Sequence, residues 1–338
     1  MEKFHTIIIG AGPAGLSCAK CLAQGGVKVL VLERKATIGP KTCAGGIPFH
    51  ALQELNIPVQ LLQGSFPVQK VLTPWQKASV SSAEPIIATI DRYEFGQWML
   101  EETLKAGAAV RSNSAVLSIS EGTIRTKDKS YAFDTLVGAD GSRSIVRRYL
   151  NIPTEKIGVG INYQVPSLAN NMEWHLDPAR FRSGYAWIFP HKQTTSIGAY
   201  AERLNLPPKN LHNLFLEWTK SHSIDLHGAH PSAAFINFDY RGWKFNNIFL
   251  AGDAAGLASA FTGEGIYPAI ISGKTIADTI INPNYVPKGL TAILHKHRRH
   301  QQAQKFFCGG KVICQITLEM LVLALRCKLL KFDLLEMY

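Results

Sequence analysis

Gly10-Ala-Gly12-Pro-Ala-Gly15 stands directly after the β-branched run His5-Thr6-Ile7-Ile8-Ile9 and directly before Leu16 to Gln24, which reads as a helix. Gly25-Gly26 stops that helix, and Lys28-Val-Leu-Val-Leu32 follows as a second strand ending in Glu33. The segment is a complete βαβ unit with a dinucleotide fingerprint at its first turn. Gly10 permits the tight turn, Gly12 lets the backbone approach a pyrophosphate, and Gly15 lets the helix pack on the strand. The helix start then offers unpaired N–H groups and the positive end of its dipole to phosphates. Glu33, 18 residues after Gly15, is placed to accept hydrogen bonds from adenosine ribose hydroxyls. A glycine-rich turn without ligand is the plain alternative, and the strand–helix–acid context argues against it.

The remaining chain is read around this unit. Its 338 residues suit two domains, or one large domain with an insertion. An apolar share of 46% against 18% charged residues allows a sizeable core and excludes wholesale disorder. Arg92 to Ala106 reads as an amphipathic helix, residues 110–137 alternate as strands, and 157–200 read as antiparallel strands with turns between them. Asn247-Ile-Phe-Leu-Ala251 is a further buried strand, followed by a helix from about Gly265 to Ile281 and a helical pattern from Lys288 onward. The expected fold class is α/β (α+β overall). A Rossmann-like nucleotide-binding domain (1–66, 91–152 and 245–285) is interrupted by a β-rich substrate domain (67–90 and 153–244). A basic helical tail (286–338) follows.

NAD and FAD share the first fingerprint. Gly252-Asp253-Ala-Ala-Gly256 and Phe261-Thr-Gly-Glu-Gly-Ile266 favour the flavin. An aspartate after a buried strand can bind a ribityl or pyrophosphate group, and the glycine-rich turn opens a helix whose N-terminus can face an isoalloxazine ring. A reduced flavin carries negative charge near N1 and C2=O, which a helix dipole stabilises.

The first motif, Asp91-Arg92, Gly138-Ala-Asp140-Gly141 and Gly252-Asp253 together resemble the FAD-dependent oxidoreductases of the para-hydroxybenzoate hydroxylase-like superfamily. Lys41-Thr-Cys43-Ala-Gly-Gly46-Ile-Pro48, Gly184-Tyr-Ala-Trp187-Ile-Phe-Pro190 and Thr262-Gly-Glu-Gly-Ile266-Tyr267 narrow the resemblance to the geranylgeranyl reductase family, over about residues 1–285. That family commonly has Cys-Gly-Gly or Cys-Gly-Glu where this chain has Cys43-Ala44-Gly45. The resemblance implies flavin contacts at Ala14, Glu33, Cys43, Ala44, Gly46, Arg92, Val116, Asp253, Gly265 and Ile266. Arg34, beside Glu33, is counted with them. Arg92 has its own logic, because a guanidinium offers a pyrophosphate bidentate hydrogen bonds.

The implied activity is FAD-dependent reduction of carbon–carbon double bonds in a geranylgeranyl or other isoprenoid chain. A flavin monooxygenase of the same fold is the alternative, and a flavin-bearing binding protein the third reading. Only one dinucleotide fingerprint is present, so electrons are expected from transiently bound NAD(P)H or from a protein donor such as ferredoxin. Cys43 is the candidate catalytic residue, as proton donor or as pocket wall. Tyr185, Trp187 and Phe189 alternate in a strand and share a face, which can line a slot for an isoprenoid chain or serve as ordinary sheet core. Cys18 and Cys21 lie inside the first helix and are expected to pack there; no metal site is expected.

Net charge is +11, and residues 286–338 hold nine basic side chains against three acidic ones. The apolar run Met320-Leu-Val-Leu-Ala-Leu325 flanked by Arg326, Lys328 and Lys331 is too short to span a bilayer. It can lie at a membrane interface or pack on the domain. His295, His297 and His300, set among Lys296, Arg298 and Arg299, are expected on a solvated helix face. The start of the chain does not read as a signal peptide, and the cysteines form no disulfide framework. A cytoplasmic setting, possible peripheral membrane contact and no nucleic-acid partner are the expectations.

Overall fold

The computed structural model describes residues 1–166, 169–307 and 310–332. Its first sheet is built on Glu2–Ile9, which pairs in parallel with Val29–Leu32 on one side and with Ser130–Gly138 on the other. Ala109–Arg111 and Ile248–Leu250 extend the parallel sheet outward on either side. Successive residues of the first strand point to opposite faces, and both faces are covered at its C-terminal end, where Ile7, Ile8 and Ile9 are all buried. Ile8 joins Val31 beneath the helices Pro13–Gln24, Arg92–Lys105 and Ile266–Ile281. Ile7 joins Leu30, Phe133 and Leu136 against Val146, Leu257 and Leu290 on the other face.

The second sheet has seven strands, in the order Ser232–Asn237, Ile157–Val165, Thr195–Glu202, Tyr185–Pro190, Met172–His175, Val68–Leu72 and Lys77–Ser81. One face packs Val159, Ile161 and Tyr163 under the helix Pro208–Ser221, through Leu211, Phe215 and Trp218. The other face carries Tyr185, Trp187, Phe189 and Tyr200. There the tail helix Lys311–Arg326 closes over part of the sheet with Cys314, Leu318, Val322 and Leu325.

Two details depart from the reading of the sequence. Ile87–Ile90, expected with the second sheet, instead pairs with Gly46–Pro48 and Leu62–Phe66 in a separate three-stranded sheet. All four of its residues are buried, which needs cover on both faces; Thr89 Oγ1 also donates to Pro190 O across 2.9 Å, tying the two sheets together. The second departure concerns the helix Lys288–Phe307. His295 is exposed, but His297 and His300 are only 2% and 6% exposed. They continue the inward stripe of Leu290 and Ile293 at helical spacing. Of the basic neighbours, Arg298 and Arg299 are exposed and Lys296 is half-buried; together they had suggested solvent for all three histidines.

Candidate functional site

The two sheets and the Cys43 loop enclose a cavity of about 780 Å³. Its nucleotide end is made of backbone. Gly10 has φ +103°, and a Cβ there would stand 2.4 Å from Ala139 O. A Cβ on Gly15 would stand 2.0 Å from Gly10 O, so this glycine serves helix–strand contact and does not itself line the cavity. Gly12 faces open space, and as N-cap of Pro13–Gln24 it supplies no side-chain cap; no acidic residue sits in the helix's first turn. The amides of that turn are thereby left for an anion.

Side chains complete this end. Glu33 Oε2 accepts from Ala11 N at 2.8 Å and Oε1 from Lys35 N at 3.0 Å, so the carboxylate also clamps the turn it was expected to serve. Arg34, Arg92 and Val116 line the wall, and Arg92 Nε is buried without a partner. Asp140 accepts from Ile145 N at 2.6 Å through Oδ2 while Oδ1 is buried and unpartnered; burial pushes its carboxyl above the usual range. Asp253 is paired with Lys41 at 2.9 Å and accepts from Ser142 Oγ at 3.1 Å. Asn237 Nδ2 donates to Asp253 O at 2.8 Å. Behind this wall Arg147, 1% exposed, donates to Pro153 O, Ala254 O and Asp239 O, with the Asp239 carboxylate 3.7 Å away.

The other end is aromatic. Tyr185, Trp187 and Phe189 are buried side by side and line the cavity. Trp174 from the neighbouring strand meets Tyr185 and Phe189 with ring centroids 5.2 and 4.7 Å apart. Phe332, Leu318 and Leu321 bring the tail against the same space. Trp187 Nε1 donates to Ser196 Oγ at 3.0 Å, which fixes the indole without exposing its N–H to the apolar slot.

Cys43, Ala44 and Gly46 lie at the junction of the two ends, with Gly265 and Ile266 at the start of the helix Ile266–Ile281. Gly45 N donates to Cys43 Sγ at 3.4 Å, and His191 Nε2 donates to Ala44 O at 3.0 Å. Burial holds the His191 imidazole below its usual pKa, so the loop is fastened by a neutral ring. Tyr185 donates its hydroxyl proton to Thr262 O. Burial raises its phenol well above the usual range, and the nearby Cys43 and Glu264 add to that.

The cavity therefore collects every expected site residue except Gly15. Lys41, Ser142, Arg147, Trp174, His191 and Phe332 had not been singled out as site residues. Lys41 was legible within the Cys43 motif, but no local pattern marks the others. Among the described residues no cluster of His, Cys, Asp and Glu could hold a metal ion. The open amides at Gly12, the orphaned Arg92 Nε and the long wall fit a dinucleotide such as FAD.

Residues 2–64 match the model of the Thi4 family. An uncharacterized protein of Methanosarcina barkeri is 28% identical over 321 residues, 89% of this chain and 80% of that protein. The geranylgeranyl diphosphate reductase of Rhodobacter capsulatus is 27% identical over 298 residues, 82% of this chain and 74% of that one. The crystal structure of a geranylgeranyl bacteriochlorophyll reductase-like protein from Thermoplasma acidophilum superposes with a TM-score of 0.83 at 20% identity, covering 96% of this chain and 92% of that chain. Along most of its length the chain is similar in sequence to a geranylgeranyl diphosphate reductase, and in fold to a geranylgeranyl bacteriochlorophyll reductase-like protein.

Proposed function

We propose that the chain is an FAD-dependent oxidoreductase that saturates carbon–carbon double bonds of a geranylgeranyl or similar isoprenoid chain. The observation that carries this reading is the continuity of the cavity: a cradle suited to phosphates and ribose opens into a slot walled by Tyr185, Trp187, Phe189 and Trp174. The similarity to a named geranylgeranyl diphosphate reductase supports the substrate class.

When bound, the flavin supplies the hydride. The protein's part is to place the alkene and exclude water. Gly10 and Gly12, with the amides after them, would hold the pyrophosphate; Arg92 would offer it a guanidinium; Glu33 would receive the adenosine ribose; and Asp253, oriented by Lys41 and Ser142, would receive the ribityl or pyrophosphate group. The aromatic walls hold the prenyl chain by apolar contact, which requires no directional bond and so tolerates a chain sliding to present successive double bonds. Cys43, at the junction, is the candidate for the proton delivered to the second alkene carbon. Electrons come from NAD(P)H or from a protein donor such as ferredoxin.

The tail extends the reading to lipid. No helix among the described residues is long and apolar enough to cross a membrane. The outer face of Lys311–Arg326 nevertheless exposes Val312, Ile313, Ile316 and Met320, and Trp75 is exposed beside it, its backbone amide donating to Glu319 Oε1. Lys311, Arg326, Lys328 and Lys331 lie along or just after this helix. Such a face suits the surface of an anionic bilayer, where a prenyl lipid resides.

The test is anaerobic. The reduced protein is mixed with geranylgeranyl compounds, and flavin reoxidation without oxygen, with product heavier by two hydrogens per bond, is expected. Reoxidation only on admitting oxygen, with an oxygen atom inserted into the product, would overturn the reading. For Cys43, Cys43→Ser with unchanged turnover removes the proton-donor role. For the tail, Ile316→Glu/Met320→Glu is expected to lower flotation with anionic vesicles; undiminished flotation contradicts the lipid contact.

A further inference from the structure

We propose that His300 is a positioning residue: standing outside the cavity, it fixes the turn Ser259–Glu264 on the cavity wall by accepting the Ser259 hydroxyl proton at Nδ1. The consequence for catalysis rests on the functional reading above, in which this turn and the helix start after it face the flavin ring; the hold on the turn does not.

Phe261, Thr262, Gly263 and Glu264 line the cavity, and Gly265 opens the helix Ile266–Ile281 without a side-chain cap. The geometry of that helix start is therefore set by the turn before it. Ser259 is the hub of the turn. Its backbone amide donates to Glu264 O at 2.8 Å, and its carbonyl accepts from Gly263 N at 3.1 Å. Its Oγ accepts from Phe261 N at 3.2 Å and from Thr262 N at 3.0 Å. A hydroxyl oxygen has two lone pairs and one proton. With both lone pairs engaged by amides, the proton is what remains for His300 Nδ1, 2.8 Å away. Nδ1 must then be the acceptor, which requires a neutral ring with its proton on Nε2.

The turn is thus held from two sides. The sheet takes its carbonyls, through Tyr185 to Thr262 O and Tyr200 to Ala260 O. The helix Lys288–Phe307 takes its amides, through His300 and Ser259. The Phe261 ring also meets the His300 ring edge-on at 6.3 Å. An apolar residue would continue the inward stripe of Leu290 and Ile293 at less cost, because burying a polar ring is unfavourable unless its hydrogen bonds are made. The bond to Ser259 supplies that compensation at Nδ1, and it acts on the cavity wall.

Leu and Asn are nearly isosteric, and Asn Oδ1 can stand where Nδ1 stands, so His300→Leu and His300→Asn separate acceptor from bulk. Hydrogen exchange over residues 257–266 is followed in the full-length holoprotein, together with the visible circular dichroism of bound flavin and the steady-state constants for a geranylgeranyl substrate. His300→Leu is expected to speed exchange at the Phe261 and Thr262 amides about tenfold, change the flavin dichroism, and lower kcat with KM held within about twofold. His300→Asn is expected to stay near the parent protein on all three. Ser259→Ala is expected to match His300→Leu, and the double variant to be no worse than either. Parent-like exchange in His300→Leu, or an Asn variant as impaired as the Leu variant, would overturn the proposal. Fast exchange with unchanged dichroism and turnover would uphold the hold on the turn and contradict the placement of the flavin ring against it.

Discussion

The two ends of the cavity are built on different principles. The nucleotide end is a matter of backbone: Gly10 and Gly15 allow approaches that a single Cβ would block at 2.4 and 2.0 Å. The aromatic end is a matter of side chains, with Tyr185, Trp187, Phe189, Trp174 and Phe332 drawn from two strands and the tail. A backbone site tolerates no added atom and is correspondingly all-or-none. A side-chain slot can lose one wall and keep the others, so its failures should be graded.

The largest expected effect falls on the backbone end. Gly15→Val places atoms into Gly10 O, and the variant is expected to be colourless or insoluble, as read from the flavin absorbance of the purified protein; a yellow, folded Gly15→Val protein would break the contrast. Next comes the wall behind Asp253. Arg147→Met removes the buried partner of Asp239 and the donors to Pro153 O and Ala254 O. A loss of about 3–5 kcal/mol in unfolding free energy is expected by denaturant titration.

Third is the pH dependence of the helix behind the turn. Burial pushes His297 down to about 4 from 6.5. A histidine with a depressed folded-state pKa binds its proton more readily when unfolded. Its contribution is therefore complete above pH 6.5 and is lost as pH falls toward 4. The loss is on the order of 2–3 kcal/mol, and His297→Phe should flatten the melting-temperature profile over that window. An unchanged profile contradicts the burial argument. The smallest effect is on the slot. Phe332→Ala removes one aromatic wall that Trp174 meets at 6.0 Å. It is expected to weaken binding of a geranylgeranyl chain about tenfold while leaving flavin content intact; equal loss of both would mean the two ends are not separable.

This contrast also explains what could be read from the sequence. The opening part of the cradle lies within the first 33 residues, so its strand, turn, helix and acid are spelled out in order. The alternation of Tyr185, Trp187 and Phe189 gave a shared face, because strand periodicity is local. Arg147 gave no signal, since its partners Asp239 and Ala254 lie 92 and 107 residues away. Trp174 is oriented by Gln69, 105 residues distant. His297 and His300 did leave a trace, the spacing with Leu290 and Ile293, but their charged neighbours drew the reading toward solvent. Residues that touch a ligand through backbone geometry announce themselves, whereas those that hold other residues in place depend on contacts only the fold creates.

The central claim is that the flavin cradle and the prenyl slot are one cavity, and a spectral titration tests it most directly. Oxidised holoprotein is titrated without turnover with geranylgeranyl, farnesyl and geranyl compounds, and the visible flavin spectrum is recorded. A saturable difference spectrum, tightening with chain length and weakened in Phe332→Ala, is the predicted result. A flavin spectrum indifferent to bound prenyl chain, with binding demonstrated independently by calorimetry, would contradict it.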